Sequence, residues 1–92
     1  MRTRTISLTL FIPGALTLKD KRQIIQSMIA RIRKLNVSIA EIDYQDQWQR
    51  SRLGMAVVSN SNAYLDSIEA EIIKLIETQY PVEIVETIIE EY

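Results

Sequence analysis

Two short segments of the chain carry most of the side chains that could do chemistry. One spans residues 13–22 and the other spans residues 43–52, and both mix cations with uncharged polar groups. The candidate binding residues in them are Lys19, Lys21, Arg22, Tyr44, Gln45, Trp48, Arg50 and Arg52. Cations interleaved with aromatic rings and amides suit phosphate groups and stacked nucleobases. The residue types therefore predict a binding surface for RNA.

The composition excludes most catalytic machinery. The chain has no cysteine and no histidine, so thiol nucleophiles, thiolate metal sites, disulfides and imidazole bases are excluded. Asp43 and Asp46, with Lys21, are the one set that could hold Mg²⁺ or act as acid and base. Because two aspartates in a charged loop are common, we predict no catalytic residue, no metal and no cofactor. Magnesium-dependent chemistry at Asp43 and Asp46 is kept as the minor alternative.

The net charge of -1 conceals a division along the chain. Residues 1–52 contain ten of the eleven Lys and Arg residues against four acids, whereas residues 53–92 contain one cation against eight acids. Such asymmetry indicates either a side that faces a polyanion or electrostatic self-association. A solvated surface on which the opposite charges meet across the fold explains it equally well.

Hydrophobic periodicity predicts six elements in the order β-α-β-β-α-β. Alternating apolar residues predict a strand over residues 3–12, and β-branched residues between turn residues predict strands over 37–44 and 53–59. A last strand, apolar on both faces, is predicted over 82–90, and a 3.6-residue spacing predicts helices over 18–35 and 62–79. We expect Thr17 to cap the first helix, with Asp20 as the acid of a capping box, and Asn36 to end it.

Two features do not fit this pattern cleanly. Lys21 lies in the middle of the apolar arc of the first helix, either as a side chain that snorkels to solvent or as a cation held over the end of the sheet. The second strand can turn either face to the core. We choose the face that leaves Glu41 in solvent, because burying an unpaired carboxylate would cost several kcal/mol. That choice turns Ser38, Ala40 and Ile42 inward.

The order of elements predicts a ferredoxin-like α+β fold in one domain covering residues 1–92. It has a four-stranded antiparallel sheet in the order 4-1-3-2, with both helices on one face. Right-handed crossovers then bring the connection after the first strand and the connection between the second and third strands to the same pole. All eight candidate binding residues belong to that pole. Trp48 and Tyr44 could equally fold back onto the core there, with Asp43 and Asp46 neutralising the arginines.

The sheet face away from the helices is predicted to be flat and lined by small residues. Its members are Thr3, Thr5, Ser7, Thr9, Phe11, Gly54, Ala56 and Val58. Only Phe11 is aromatic, so stacking of bases on the sheet in the manner of an RRM is poorly supported. A flat, partly apolar face next to an edge strand that is apolar on both sides favours a homodimer, formed through the open face or the edge strand.

The chain also resembles a known family. The motifs that carry the resemblance are Ile12-Pro13-Gly14, Leu18-Lys19-Asp20-Lys21-Arg22, Asn36-Val37-Ser38, Ala40-Glu41, Asp43, Gln45-Asp46, Trp48-Gln49-Arg50 and Val57-Val58-Ser59-Asn60. They are similar to the bacterial YlxP-like family, from whose pattern Thr17, Asp20 and Tyr44 depart. The resemblance implies a ferredoxin-like fold and a small cytosolic protein with no established activity. It also implies genes placed among those of translation and ribosome-maturation factors.

These observations lead to one predicted function and one alternative. We predict a cytoplasmic, non-enzymatic RNA- or ribosome-associated factor that binds through the basic, aromatic pole. The alternative is a homodimeric protein-interaction or small-anion-sensing module that binds no nucleic acid, which the acidic C-terminal half favours. No apolar run approaches the ~20 residues that cross a bilayer, so we predict no membrane partner.

Overall fold

The computed structural model describes residues 1–92 and contains the six predicted elements in the predicted order. They are β1 (Arg2–Phe11), α1 (Leu18–Arg33), β2 (Ser38–Asp43), β3 (Arg50–Ser59), α2 (Asn62–Gln79) and β4 (Glu83–Glu91). The bounds differ from the sequence-based expectation by at most three residues, the largest difference being the earlier start of β3 at Arg50.

The strands form one antiparallel sheet in the order β2-β3-β1-β4, so the ferredoxin-like fold and the predicted strand order are confirmed. The core lies between the sheet and the two helices, because alternate residues of β1 and β3 and one face of each helix are apolar. Ile6, Leu8 and Leu10 of β1 and Ile72 of α2 are almost wholly buried there. Neither helix has the length and apolar character that crossing a bilayer would require.

One charged side chain lies at the edge of this core. Arg4 of β1 is 7% exposed and donates to Asp66 of α2 at 2.6 Å and to Glu91 of β4 at 2.6 Å, with Glu69 at 3.3 Å. Its hydrogen bonds with Glu91 and then with Asp66 raise the pKa of Arg4 above its ordinary value. At this place the basic and acidic halves of the chain do meet across the fold.

The start of α1 follows the sequence signals, whereas the helix ends at Arg33, with Lys34 as its C-cap, earlier than the expected end at Asn36. The Asp20 N–H donates to Thr17 Oγ1 at 3.1 Å, so the predicted cap is present, while the Asp20 carboxylate accepts from the Leu16 N–H. Asn36 has a φ of 61°, in the left-handed region, and it turns the chain from the helix into β2. Asparagine adopts this conformation more readily than other residues with a Cβ.

Asn36 gives a stability prediction. Asn36→Val is expected to lower the free energy of unfolding by about 1–2 kcal/mol, because a β-branched residue is strained at positive φ. Asn36→Gly should unfold within ~1 kcal/mol of the parent chain, since glycine accepts this φ freely. Urea titration followed by circular dichroism measures both, and equal midpoints for the two variants would contradict the assignment of Asn36 as the turning residue.

Candidate binding site at the hairpin loop

The two segments singled out from the sequence do meet at one end of the sheet. Residues 13–22 and 43–52 meet there through the β1–α1 loop, residues 12–17, and through the hairpin loop between β2 and β3, residues 44–49. The Ile12 N–H donates to the Gln49 carbonyl at 2.8 Å. The Gln49 side-chain amide donates back to the carbonyls of Pro13 and Ala15, at 3.3 and 3.2 Å. The shared pole predicted from chain topology is therefore present.

Lys21 joins α1 to the hairpin loop. Its side chain is completely buried, and its Nζ donates to the carbonyls of Tyr44, Arg50 and Gln45 at 2.8, 3.2 and 3.3 Å. Glu41 Oε2 lies 3.1 Å from the same Nζ. All three ammonium protons are thus used inside the protein. Of the two roles left open for Lys21, the cation held over the end of the sheet is the observed one, and Lys21 cannot contact a phosphate at the surface.

The facing of β2 predicted from the sequence is wrong, for the same reason. Val37 and Ile39 are buried, whereas Ser38, Ala40 and Ile42 are exposed, so Glu41 points inward. The expected cost of an unpaired carboxylate does not arise, because Glu41 Oε2 pairs with Lys21 and accepts from Ser51 Oγ at 2.6 Å. Ile42 instead lies across Gly54 on the open face, where a Cβ on Gly54 would come 3.0 Å from its methyl carbons.

Tyr44 is half-buried and lies between two arginines. The guanidinium carbons of Arg50 and Arg52 lie 5.7 and 5.5 Å from the centre of its ring, within the range of a cation–π interaction. Arg52 has other partners as well: its Nε donates to Thr9 Oγ1 at 3.0 Å, and its Nη2 forms an ion pair with Glu86 at 3.2 Å. Arg50 is exposed and has no carboxylate partner. Of the two, Arg50 is the free cation.

The backbone of the hairpin loop is tightly turned. Tyr44 has a φ of 62°, and its N–H donates to Asp43 Oδ1 at 2.7 Å, while the Gln47 N–H donates to the Tyr44 carbonyl at 3.0 Å. A positive φ is uncommon for a tyrosine. Lys21 donates a hydrogen bond to the carbonyl of this same residue.

Trp48 lies on the outside of this clamped loop. It is 52% exposed, and it lines a recess of about 350 Å³ together with Phe11, Asp46, Gln47, Gln49 and Arg50. Trp48 therefore does not fold back onto the core as a lid, and its ring is accessible to a partner. Gln45 is also exposed, and its backbone carbonyl accepts a hydrogen bond from Lys21.

The remaining candidate cations belong to α1. Lys19 and Arg22 are exposed in its first turns, and Arg33 and Lys34 are exposed at its end. At 3.6 residues per turn these four side chains lie within an arc of about 120° opposite the buried stripe, along a length of roughly 22 Å. We refer to them as the α1 basic face. None of them forms an ion pair with a carboxylate.

The two aspartates of the loop neutralise little. Asp43 Oδ2 lies 3.9 Å from Arg52, and its other oxygen accepts the Tyr44 N–H. Asp46 is exposed and forms no ion pair. No three acidic side chains of the protein are grouped as a metal ion would require.

Three residues of this pole were not recognised from the sequence in their observed roles: Glu41, Ser51 and Gln49. The sequence did contain a signal for Glu41. Burying a lysine within an apolar helical arc is unfavourable, and so is burying a glutamate on one face of an apolar strand. Placed together by the fold, they satisfy each other. The amide of Gln49 holds the β1–α1 loop.

Comparison with known proteins identifies a family and similar proteins. The family described as "Protein of unknown function (DUF503)" matches residues 4–89. A segment of 46 residues is 50% identical to the Bacillus subtilis (strain 168) protein named "Uncharacterized protein YlxP", and the match covers 49% of this chain and 50% of that protein. The chain thus matches half of that relative's length.

Among solved structures, the crystal structure of a "putative PII-like signaling protein" from Thermus thermophilus is similar, with a TM-score of 0.54. The similarity covers 100% of this chain and 87% of that one at 11% identity, so it concerns the fold alone.

The Lys21 network gives a second stability prediction. Lys21→Met is expected to lower the free energy of unfolding by about 3–5 kcal/mol, because Glu41 and the loop carbonyls lose their shared partner. Lys19→Met, at an exposed position two residues away, should change it by less than ~0.5 kcal/mol. Adding Glu41→Leu to Lys21→Met should restore part of the loss. Urea unfolding measures all three, and a parent-like Lys21→Met would show that the network stabilises nothing.

Proposed function

The chain belongs to the family described as protein of unknown function (DUF503), and from that premise we propose that it is a non-enzymatic, RNA- or ribosome-associated factor. The α1 basic face would contact phosphates, and the hairpin loop would contact bases. The proposal rests above all on one observation: the four cations of the α1 basic face are exposed and have no carboxylate partner.

The arrangement of the acids supports the same surface. Of the eight acids in residues 53–92, all belong to α2 or β4, and four of them are paired with Arg4 or Arg52. Asp20 is the only acid of α1, and its carboxylate accepts the Leu16 N–H at the start of the helix. An overall charge of -1 is therefore compatible with a polyanion that approaches from the α1 side.

Trp48 and Arg50 extend this surface beyond the helix. Lys19 and Arg22 lie in the first turns of α1, at the same pole as the hairpin loop. An RNA strand that runs along the α1 basic face would therefore reach the recess next to Trp48. An exposed indole beside a free guanidinium is a combination on which unpaired bases stack. Because Lys21 fixes the loop, these groups are presented without prior rearrangement.

Binding of this kind should weaken with salt. For single-stranded RNA the slope of log affinity against log salt is about -0.7 per phosphate contact, so four contacts predict about -3. Arg22→Gln with Arg33→Gln should reduce the steepness by about 1.4, whereas Lys74→Gln on α2 should leave it unchanged. Fluorescence anisotropy with single-stranded and hairpin oligonucleotides measures the slopes. Absence of salt-dependent binding to every RNA tested would reject the proposal.

A second candidate function, sensing of a small anion, is favoured by the surroundings of Tyr44. Arg50, Arg52 and Tyr44 line a recess of about 300 Å³, in which the Arg50 guanidinium has free donors. The similar fold of a protein titled as PII-like and signaling is compatible with such a role. Glu86 lines the same recess and would repel an anion, so we rank this function second.

The anion hypothesis predicts a thermal shift. Millimolar pyrophosphate or ATP should raise the melting temperature of the parent chain by a few degrees through preferential binding to the folded state. Arg50→Gln should abolish the shift, because it removes the one guanidinium at the recess that no carboxylate neutralises. Arg2→Gln, which changes the same charge at an exposed position at the start of β1, serves as the control. A shift retained in Arg50→Gln would exclude this site.

A further inference from the structure

β4 forms one edge of the sheet, and none of its nine residues is fully buried. Its apolar side chains are exposed on both faces: Val85 is 51% exposed, Ile88 43% and Ile89 38%. Neighbouring apolar side chains on both faces of an edge strand are unfavourable in an isolated molecule, and they characterise a strand that pairs with another. This surface is independent of the RNA-binding surface proposed above.

The outward-facing backbone of β4 can be assigned. Thr3 and Tyr92 exchange both backbone hydrogen bonds, at 3.1 and 2.8 Å. In an antiparallel ladder such exchanging pairs alternate with pairs that exchange none. The β1–β4 register therefore directs Glu90 and Ile88 toward β1, and it leaves the N–H and C=O groups of Thr87, Ile89 and Glu91 pointing away from the sheet. These groups are free to bond a further strand.

The glutamates of β4 restrict what that strand can be. Glu83, Glu86, Glu90 and Glu91 all lie in the strand, and the charge of Glu90 raises the pKa of the neighbouring Tyr92 hydroxyl above its ordinary value. Like charges directly opposite each other destabilise a strand pair. Such residues normally protect an edge from unwanted pairing. When β4 pairs with a second copy of itself, these glutamates also determine which pairing registers avoid placing like charges opposite each other.

Consider two copies of β4 pairing antiparallel about a two-fold axis. A pairing centred on Thr87 would place Glu83 opposite Glu91 of the partner subunit, and one centred on Ile88 would place Glu86 opposite Glu90 of the partner subunit. Centring on Glu90 or Glu91 would oppose that residue to its own copy. Centring on Val85 would pair through the irregularity near Thr9 and Leu10 and use only the first half of the strand.

The register centred on Ile89 avoids all of these clashes. It places Ile89 opposite Ile89 of the partner subunit on the helix side, and Ile88 opposite Glu90 of the partner subunit on the open face. We propose that the chain forms a two-fold dimer by antiparallel pairing of β4 with β4 of a second copy in this register. The two four-stranded sheets then become one eight-stranded sheet, and the outward N–H and C=O groups of Ile89 are bonded.

The other surfaces that could pair are less suited. β2, the opposite edge, has only six residues, whereas β4 has nine. The open face carries exposed Ile42 and Val58, but the Arg52–Glu86 ion pair lies on it. Packing two such faces together would remove that ion pair from water at a cost that the attraction between its charges rarely repays. Pairing at β4 leaves the ion pair in solvent.

The absence of cysteine allows a direct test by cysteine scanning. We expect Ile89→Cys to form a disulfide-linked dimer under mild oxidation at least tenfold faster than Thr87→Cys. The two Ile89 Cα atoms would be ~5.5 Å apart in a hydrogen-bonded pair, within disulfide reach. The two Thr87 Cα atoms would be offset by about four residues, roughly 13 Å along the strands. Ile88→Cys should react more slowly than Ile89→Cys, and Ile42→Cys should remain monomeric.

The cross-linking experiment tests the register of the pairing and the location of the interface separately. Fastest cross-linking through Thr87→Cys or Ile88→Cys would overturn the register, and fastest cross-linking through Ile42→Cys would move the interface away from β4. A second measurement avoids cysteine altogether. Sedimentation of the unmodified chain should show a concentration-dependent dimer, which Ile89→Glu weakens at least tenfold and Val58→Glu does not. A monomer at all concentrations would overturn the proposal, and circular dichroism verifies that each variant is folded.

Discussion

The ammonium of Lys21 is the interaction on which the candidate site depends. It is a full charge removed from water, and three backbone carbonyls and one carboxylate together make that removal tolerable. The carbonyls come from the two ends of the hairpin loop, and the carboxylate comes from β2. The Nζ atom of Lys21 therefore connects α1 to β2 and to the hairpin loop. The inward facing of Glu41 on β2 follows from that arrangement.

The same network marks the limit of what could be predicted from the sequence. Periodicity and turn residues identified all six elements, and chain topology brought residues 12–17 and 44–49 to one pole, because these signals are local or follow from handedness. The partnership of Lys21 with Glu41 is not local. From the sequence, each charge was assessed by the free energy needed to bury it alone. In the fold the two charges lie next to each other, and their attraction and hydrogen bonds offset most of that desolvation cost.

Exposure was the other property that the sequence could not give. Whether Trp48 covered the core or faced solvent depended on the course of residues 44–49, which tertiary bonds determine. Charge pairing was likewise hidden: Arg4 and Arg52 look equivalent to Arg22 and Arg33 in the sequence, yet only the first two contact carboxylates. The cations of the first half of the chain are thus paired with carboxylates at Arg4 and Arg52 on the central strands, and they are left without carboxylate partners along the α1 basic face.

The amide of Gln49 has a further consequence. By bonding the carbonyls of Pro13 and Ala15, it supplies the donors that a stretch without regular secondary structure would otherwise take from water. With Lys21 on the opposite side, the hairpin loop is tied to its surroundings at both ends and cannot fold over an incoming molecule. The binding surface at this pole is therefore preformed and does not close around its partner, so little conformational entropy of the loop is lost on binding.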